Sequence, residues 1–241
     1  MLIGLAGLAM GATSLGGVLV APVLHGLRGE PMASAIAASS FAFLLTGLLA
    51  LGQSEGPILK RIKADAPLHL GALVGAATGA ALSALTPDGW IRLWIGLIAL
   101  GSGLHNLWSL HRTSERSDSK PPLMWPSSLE LSGIGLVVGL GSALSGTGGP
   151  LLLLPWLLAR SCPIDRSIAS ALVIQVPIAV AASSMHLMSD RLGVGLGLTV
   201  AVVLLPCAWV GRQIARHAPS TRLRQSVSAL LIAAGLWMLL D

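Results

Sequence analysis

Eight apolar stretches joined by short polar connections leave this chain one environment in which to fold. They run at about 2–26, 33–52, 68–86, 89–110, 129–159, 167–187, 192–211 and 225–240, and a helix of about 20 mostly apolar residues is what a bilayer core requires. Only 10% of the 241 residues carry charge, against roughly 25% in a soluble domain. The expectation is an all-α polytopic membrane protein. Its formal charge of +5 does not point to nucleic acid, because the basic residues are scattered over short connections with no aromatic side chains interleaved for stacking.

Cys162 and Cys207 are far apart and in no CxxC spacing, so neither a disulfide framework nor a metal knuckle is expected. The apolar start "MLIGLAGLAMGATSLGGVLVAP" lacks the basic region of a signal peptide and is read as part of the mature fold. The longest connection, "HRTSERSDSKPPLMWPSS" (111–128), has the composition of a linker. It divides the chain into an N-terminal repeat (1–111), a cytoplasmic linker (112–128) and a C-terminal repeat (129–241).

The halves are read as repeats because glycines and prolines recur at nearly constant offsets. Leu15-Gly16-Gly17-Val18-Leu19-Val20-Ala21-Pro22 aligns with Gly148-Gly149-Pro150-Leu151-Leu152-Leu153-Leu154-Pro155, and Pro31 with "SAIAAS" aligns with Pro163 and "RSIASA". Charge placement then bears on topology. If all eight segments cross once, the lysines and arginines divide seven against eight, with no bias. If 2–26 and 129–159 are re-entrant hairpins, twelve fall on one side and only Arg28, Arg92 and Arg191 on the other, in line with the positive-inside rule. Each half is then a hairpin plus three spans, and the halves are inverted, an arrangement found in secondary transporters. Kinked full-length spans are the alternative, since tilt absorbs excess length.

The two interruptions, "GATSLGG" (11–17) and "SGTGG" (145–149), carry the chemistry. Unpaired backbone groups cost several kcal/mol each in hydrocarbon, so irregular backbone at membrane depth must face protein or a cavity. Each is followed by an apolar run whose first turn presents free N–H groups and a positive dipole end, a ready anion site. The candidate substrate-binding residues are Thr13, Ser14, Gly16, Gly17, Ser145, Thr147, Gly148 and Gly149, with Ser39 and Gln175 on the segments that follow. For each polar side chain, structural glue within the bundle is the competing reading. Pro150 suits a first helical turn and makes Gly148 or Gly149 the cap.

No Asp or Glu falls in the middle of any apolar segment, which argues against a carboxylate relay. His105 is the deepest ionisable candidate for proton coupling, with an interfacial role as its alternative. The seven tryptophans mostly sit near segment ends, as an interfacial belt does. No nucleophile elbow, Walker loop, HExxH or paired-carboxylate arrangement is present, so no enzyme and no cofactor are expected.

The motifs "TSLGGVLVAPVL" with "PMASAIAASS", and "LSGTGGPLLLLPWLL" with "PIDRSIASALVIQVPIA", resemble the TauE/SafE family of sulfite and organosulfonate exporters. Gly16, Gly17, Thr147, Gly148 and Gly149 carry the resemblance, and the first half departs from it by having Leu15-Gly16-Gly17 where the family commonly runs three glycines. The resemblance implies a multi-pass plasma (inner) membrane transporter of small sulfur-containing anions. The expected partners are that anion, the lipid bilayer, a coupling proton or sodium ion and a second copy of the chain. An anion channel and a non-transporting membrane subunit are the other readings.

Overall fold

The computed structural model describes residues 2–13, 16–52, 62–112, 125–160, 162–217 and 220–240. Ser14, one of the candidate site residues, lies outside the described residues, as do most of the basic residues of the two long connections. The side chains of Thr13 and Gly16 are likewise not described.

Among the described residues the secondary structure is helical throughout. In chain order the elements are α1 (Leu2–Thr13), a 3-10 turn (Gly16–Leu19), α2 (Val20–Arg28), α3 (Met32–Gly52), α4 (Ala66–Ser83), α5 (Asp88–Arg112), α6 (Ser128–Ser145), α7 (Pro150–Ala159), α8 (Ile164–Met188), α9 (Val194–His217) and α10 (Ser220–Leu240). Five of them, α3, α4, α6, α8 and α9, are long and apolar enough to cross a membrane. Outward-facing Leu70, Val137 and Val202 are each at least 65% exposed, a surface that suits lipid rather than water.

Local sequence sets the boundaries. Ser127 caps α6 by accepting from the amide of Glu130, the Ser-x-x-Glu pattern of a capping box. Gly29 ends α2 in the left-handed region, where its amide donates to the His25 carbonyl, as glycine commonly does after a helix. Pro177 and Pro206 lie inside α8 and α9, tolerated because neighbouring helices re-satisfy the backbone in a membrane bundle.

Small residues then decide which helices touch. Along α4, a β-carbon on Gly71, Gly75 or Gly79 would run into the backbone carbonyls of Ser132, Leu136 and Leu140 on α6. Gly135 and Gly139 abut the carbonyls of Leu68 and Ala72 in return. Both series rise together, so α4 and α6 run parallel with their backbones in contact, the close approach that glycine stripes permit in membranes. α1 packs on α9 through the same device, with Gly7 against the Leu204 carbonyl and Gly211 against that of Leu8.

The two seams correspond contact for contact. Gly7 with Leu204 and Gly139 with Ala72 are matched by a shift of 132 residues in each partner, and so are Gly79 with Leu140 and Gly211 with Leu8. The packing repeats between halves, and it repeats at the offset that Pro31 and Pro163 mark in the sequence.

Polar contacts fix which helix ends lie together. Arg160, just after α7, pairs with Glu130 in the first turn of α6, so the chain returns to the end from which α6 began. The starts of α4 and α8 meet there too, through Asp65 with Arg166 and Ser170, and Trp125 ahead of α6 joins them. At the opposite end Arg191 donates to the carbonyl of Ala84, just past α4. Gly26 near the end of α2 meets the Trp237 ring of α10.

Candidate functional site

The second glycine-bearing interruption is a break in helix; at the first, α1 ends at Thr13 and a 3-10 turn starts at Gly16, and tertiary packing brings the two regions together. α6 stops at Ser145 with Gly146 in the left-handed region, φ 63°. The amides of Gly146 and Thr147 both reach the Ser142 carbonyl, the latter at 3.1 Å. Gly148 and Gly149 then take φ of 81° and 105°, values that a side chain makes costly. α7 begins at Pro150, and the Gly149 carbonyl accepts from Leu152 and Leu153, both at 3.1 Å. The expected cap at Gly149 with proline in the first turn is therefore present.

The first break reaches the second from the other half. A β-carbon on Gly17 would lie 3.0 Å from the Thr147 carbonyl and 3.2 Å from the Phe43 ring; one on Gly148 would lie 3.2 Å from that same ring. Phe43 on α3 is thus wedged between the two breaks and is fully buried. Gln175, on α8, closes the crossing by donating to the Phe43 carbonyl at 2.9 Å and to Thr46 Oγ1 at 3.0 Å. Gln175 and Phe43 are themselves 132 residues apart.

The candidate hydroxyls divide by what they bond. Ser145 Oγ lies 2.8 Å from the Gly141 carbonyl and 3.0 Å from Thr147 Oγ1. Ser39 donates to the carbonyl of Ile36 on its own helix and sits under Gly146, whose β-carbon would stand 2.6 Å from it. Ser145, Thr147, Gly148, Gly149, Ser39, Gly17 and Gln175 are all buried in this one region. Thr13 and Gly16 flank the first break, at the end of α1 and the start of the 3-10 turn. His105 is not part of it. His105 is exposed on α5 beside the ring of Trp108, whereas its neighbour Asn106 turns inward to bond Ser228 Oγ at 2.7 Å.

Sequence reasoning passed over three residues. Phe43 sat among apolar neighbours, and only the alignment of the halves, which sets it opposite Gln175, carried a signal. Ser142 precedes Ser145 by one helical turn, so both face the same side of α6, yet only Ser145 was selected. Ser142 Oγ is 1% exposed and has no hydrogen-bond partner. Asp65 lies in the connection before α4, where local sequence gives no sign of burial, yet it is 3% exposed. Its carboxylate accepts from Arg166 at 2.9 Å, Ser170 at 2.6 Å and Trp125 at 3.1 Å, and the Arg166 guanidinium stacks 3.8 Å over the Trp125 ring. Ser170, on α8, thus serves this ion pair and not the glycine breaks. Nearby, burial pushes the Cys162 thiol up against the opposing pull of Arg160 and Arg166, which favours its unreactive neutral form.

The family model described as sulfite exporter TauE/SafE matches residues 56–238. The match runs from the connection before α4 into α10 and takes in the second break, while the first break and α3 precede it. Comparisons with curated proteins and with solved structures found no match. With more than half its length matched by that model, the chain belongs to the sulfite exporter TauE/SafE family of membrane transporters.

Proposed function

We propose that the protein exports small sulfur-containing anions, sulfite or short organosulfonates, across the plasma membrane by alternating access to a site between the two glycine breaks. The observation that carries this reading is the meeting of Gly17 and Gly148 on opposite sides of Phe43. Two independent helix interruptions sharing one buried centre is the arrangement in which helix termini can hold an anion at mid-membrane. Glycine leaves room for oxygen atoms to approach the main chain, and hydroxyls orient them without fixing them by charge.

Support for inverted halves comes from three sides. The seams repeat at a constant offset, and α6 with α7 returns to the end where α4 and α8 begin. With α1 and α2 opening at the other end, the basic residues fall twelve to three, with Arg28, Arg92 and Arg191 in the minority. A rocking movement of one half against the other then exposes the crossing to each side in turn. Cysteines introduced at Leu2 and Gly29, in a chain whose own Cys162 and Cys207 are serine, should label from one side of the membrane. A second pair at Leu129 and Pro163 should label from the opposite side. Labelling of all four from one side would exclude the inversion.

Transport is tested in proteoliposomes. Loaded sulfite should exchange with external sulfite in a saturable counterflow, and Gly149→Ala should fold yet lose that exchange. Its methyl meets Ile178 Cδ1 at 2.7 Å on a backbone with φ of 105°, closing the approach to the α7 amides. Unitary currents across a planar bilayer would instead favour a channel, and the absence of flux in both assays would overturn the transport reading.

A further inference from the structure

The second break contains an unexplained buried hydroxyl. Ser142 Oγ lacks a partner while 1% exposed, although buried polar groups are almost always hydrogen-bonded and exceptions call for an explanation. It lies 3.9 Å from where a β-carbon on Gly149 would stand, beneath the N-terminus of the ten-residue α7. No described hydrogen bond takes the amides of Gly148, Gly149 or Leu151. An orphan hydroxyl thus faces the helix terminus with the free amides.

Among the described residues the immediate surroundings are neutral. Ser39, Thr46, Ser145, Thr147 and Gln175 supply the polar side chains around the crossing. Among the described buried residues the ionisable ones are Asp65, His186 and the Cys162 thiol, the last held neutral beside Asp65's end of the bundle. Asp65 is held by Arg166 at one end of the bundle, and His186 lies in the last turn of α8 at the other. Of the helices packed around the break, α3 and α7 have no titratable residue at all. α6 has only Glu130 in its first turn, α4 has His69 one turn from its start, and α8 has Asp165, Arg166 and His186 at its ends; α5, whose Trp94 donates to the Gly141 carbonyl, has Asp88 and Arg92 near its start and His105, His111 and Arg112 in its second half.

We infer that Ser142 is a substrate-binding residue, and that the all-neutral shell it completes with the Gly148, Gly149 and Leu151 amides accepts singly charged oxyanions and rejects doubly charged ones. The inference rests on the transport reading above and goes further by fixing the charge of the cargo. Amides and hydroxyls can replace the hydration of one negative charge. The Born cost of burial grows with the square of the charge, so a dianion without a countercharge pays about four times as much. Simple alkanesulfonates are monoanions at every physiological pH, whereas the sulfite dianion takes up one proton near neutrality and is carried as hydrogensulfite. Ile174 and Ile178 of α8 pack on Gly149, so admission of the anion requires α8 to shift from the break.

The experiment compares methanesulfonate with sulfate, nearly equal in size but differing by one charge, binding to the purified full-length protein by calorimetry. Methanesulfonate should bind at least tenfold more tightly than sulfate and with a flat pH dependence. Sulfite should bind more tightly as pH falls through the anion's own titration. Ser142→Ala should weaken methanesulfonate by about tenfold, the worth of one hydrogen bond to a charged group, with an unchanged melting temperature. Equal affinity for sulfate and methanesulfonate would overturn the charge selection while leaving the transport reading intact. Unaltered binding by a folded Ser142→Ala protein would overturn the role of Ser142. Failure to bind any of the three anions, together with absent flux, would instead remove the transport reading and this inference with it.

Discussion

Gly139→Ala should cost the folded protein about 3 kcal/mol, and Gly7→Ala, in the other half and less tightly placed, about 1–3 kcal/mol. A single methyl on Gly139 points into the Ala72 carbonyl, and one on Gly7 would stand 3.2 Å from the Leu204 carbonyl and 2.8 Å from Cys207 Cβ. In both cases the obstacle includes helix backbone. A flexible side chain could swing aside, but a helix must move as a unit, and separating one pair of residues loosens the others along the seam. Overpacking in a tight interior costs roughly 1–3 kcal/mol and sometimes more. Gly133 and Gly195 provide the controls, because nothing lies within 4 Å of the β-carbon position in either. Thermal unfolding in detergent should show both seam variants melting well below the parent and both controls unchanged. Equal behaviour of all four would show that the seams do not hold the bundle together.

Arg166→Ala should destabilise the protein by about 3 kcal/mol, more than Asp65→Ala does. The asymmetry follows from exposure. The Asp65 side chain is 4% exposed and that of Arg166 42%. Removing the cation strands a buried carboxylate with only Ser170 and Trp125 to hold it. Removing the carboxylate frees a cation that already reaches solvent, and leaves two neutral donors unsatisfied, at roughly 1–3 kcal/mol for each that stays dry. The double variant Asp65→Ala/Arg166→Ala should recover part of the loss of Arg166→Ala alone. Unfolding measured for the two single variants and the double gives the coupling directly. A smaller loss for Arg166→Ala than for Asp65→Ala would contradict this account of the cluster.

The cluster also joins segments widely separated in sequence. Asp65 precedes α4, Trp125 precedes α6, and Arg166 and Ser170 belong to the start of α8. It therefore ties the start of α4 to the starts of α6 and α8.

The two helix interruptions were legible in the sequence because glycine, proline and hydroxyl side chains in an apolar run are a local signal of broken backbone. Gly149 as cap with Pro150 in the first turn is the clearest instance, and it depends on nothing beyond adjacent residues. The stripes Gly71, Gly75, Gly79 and Gly135, Gly139 were equally visible as spacing, but spacing does not name a partner. A seam exists only when a second backbone arrives, and apolar helices offer many equivalent faces.

What the sequence determined by itself was membrane residence, the duplicated motif and the family to which it points, all consequences of composition and short-range pattern. Only the tertiary structure decided that Phe43 stands between the breaks, that Ser142 faces the α7 terminus without a partner, and that Asp65 is buried against Arg166. The physical reason is that burial and hydrogen bonding belong to pairs of residues. Asp65 and Arg166 are 101 positions apart, and no local pattern records which distant group completes a buried charge.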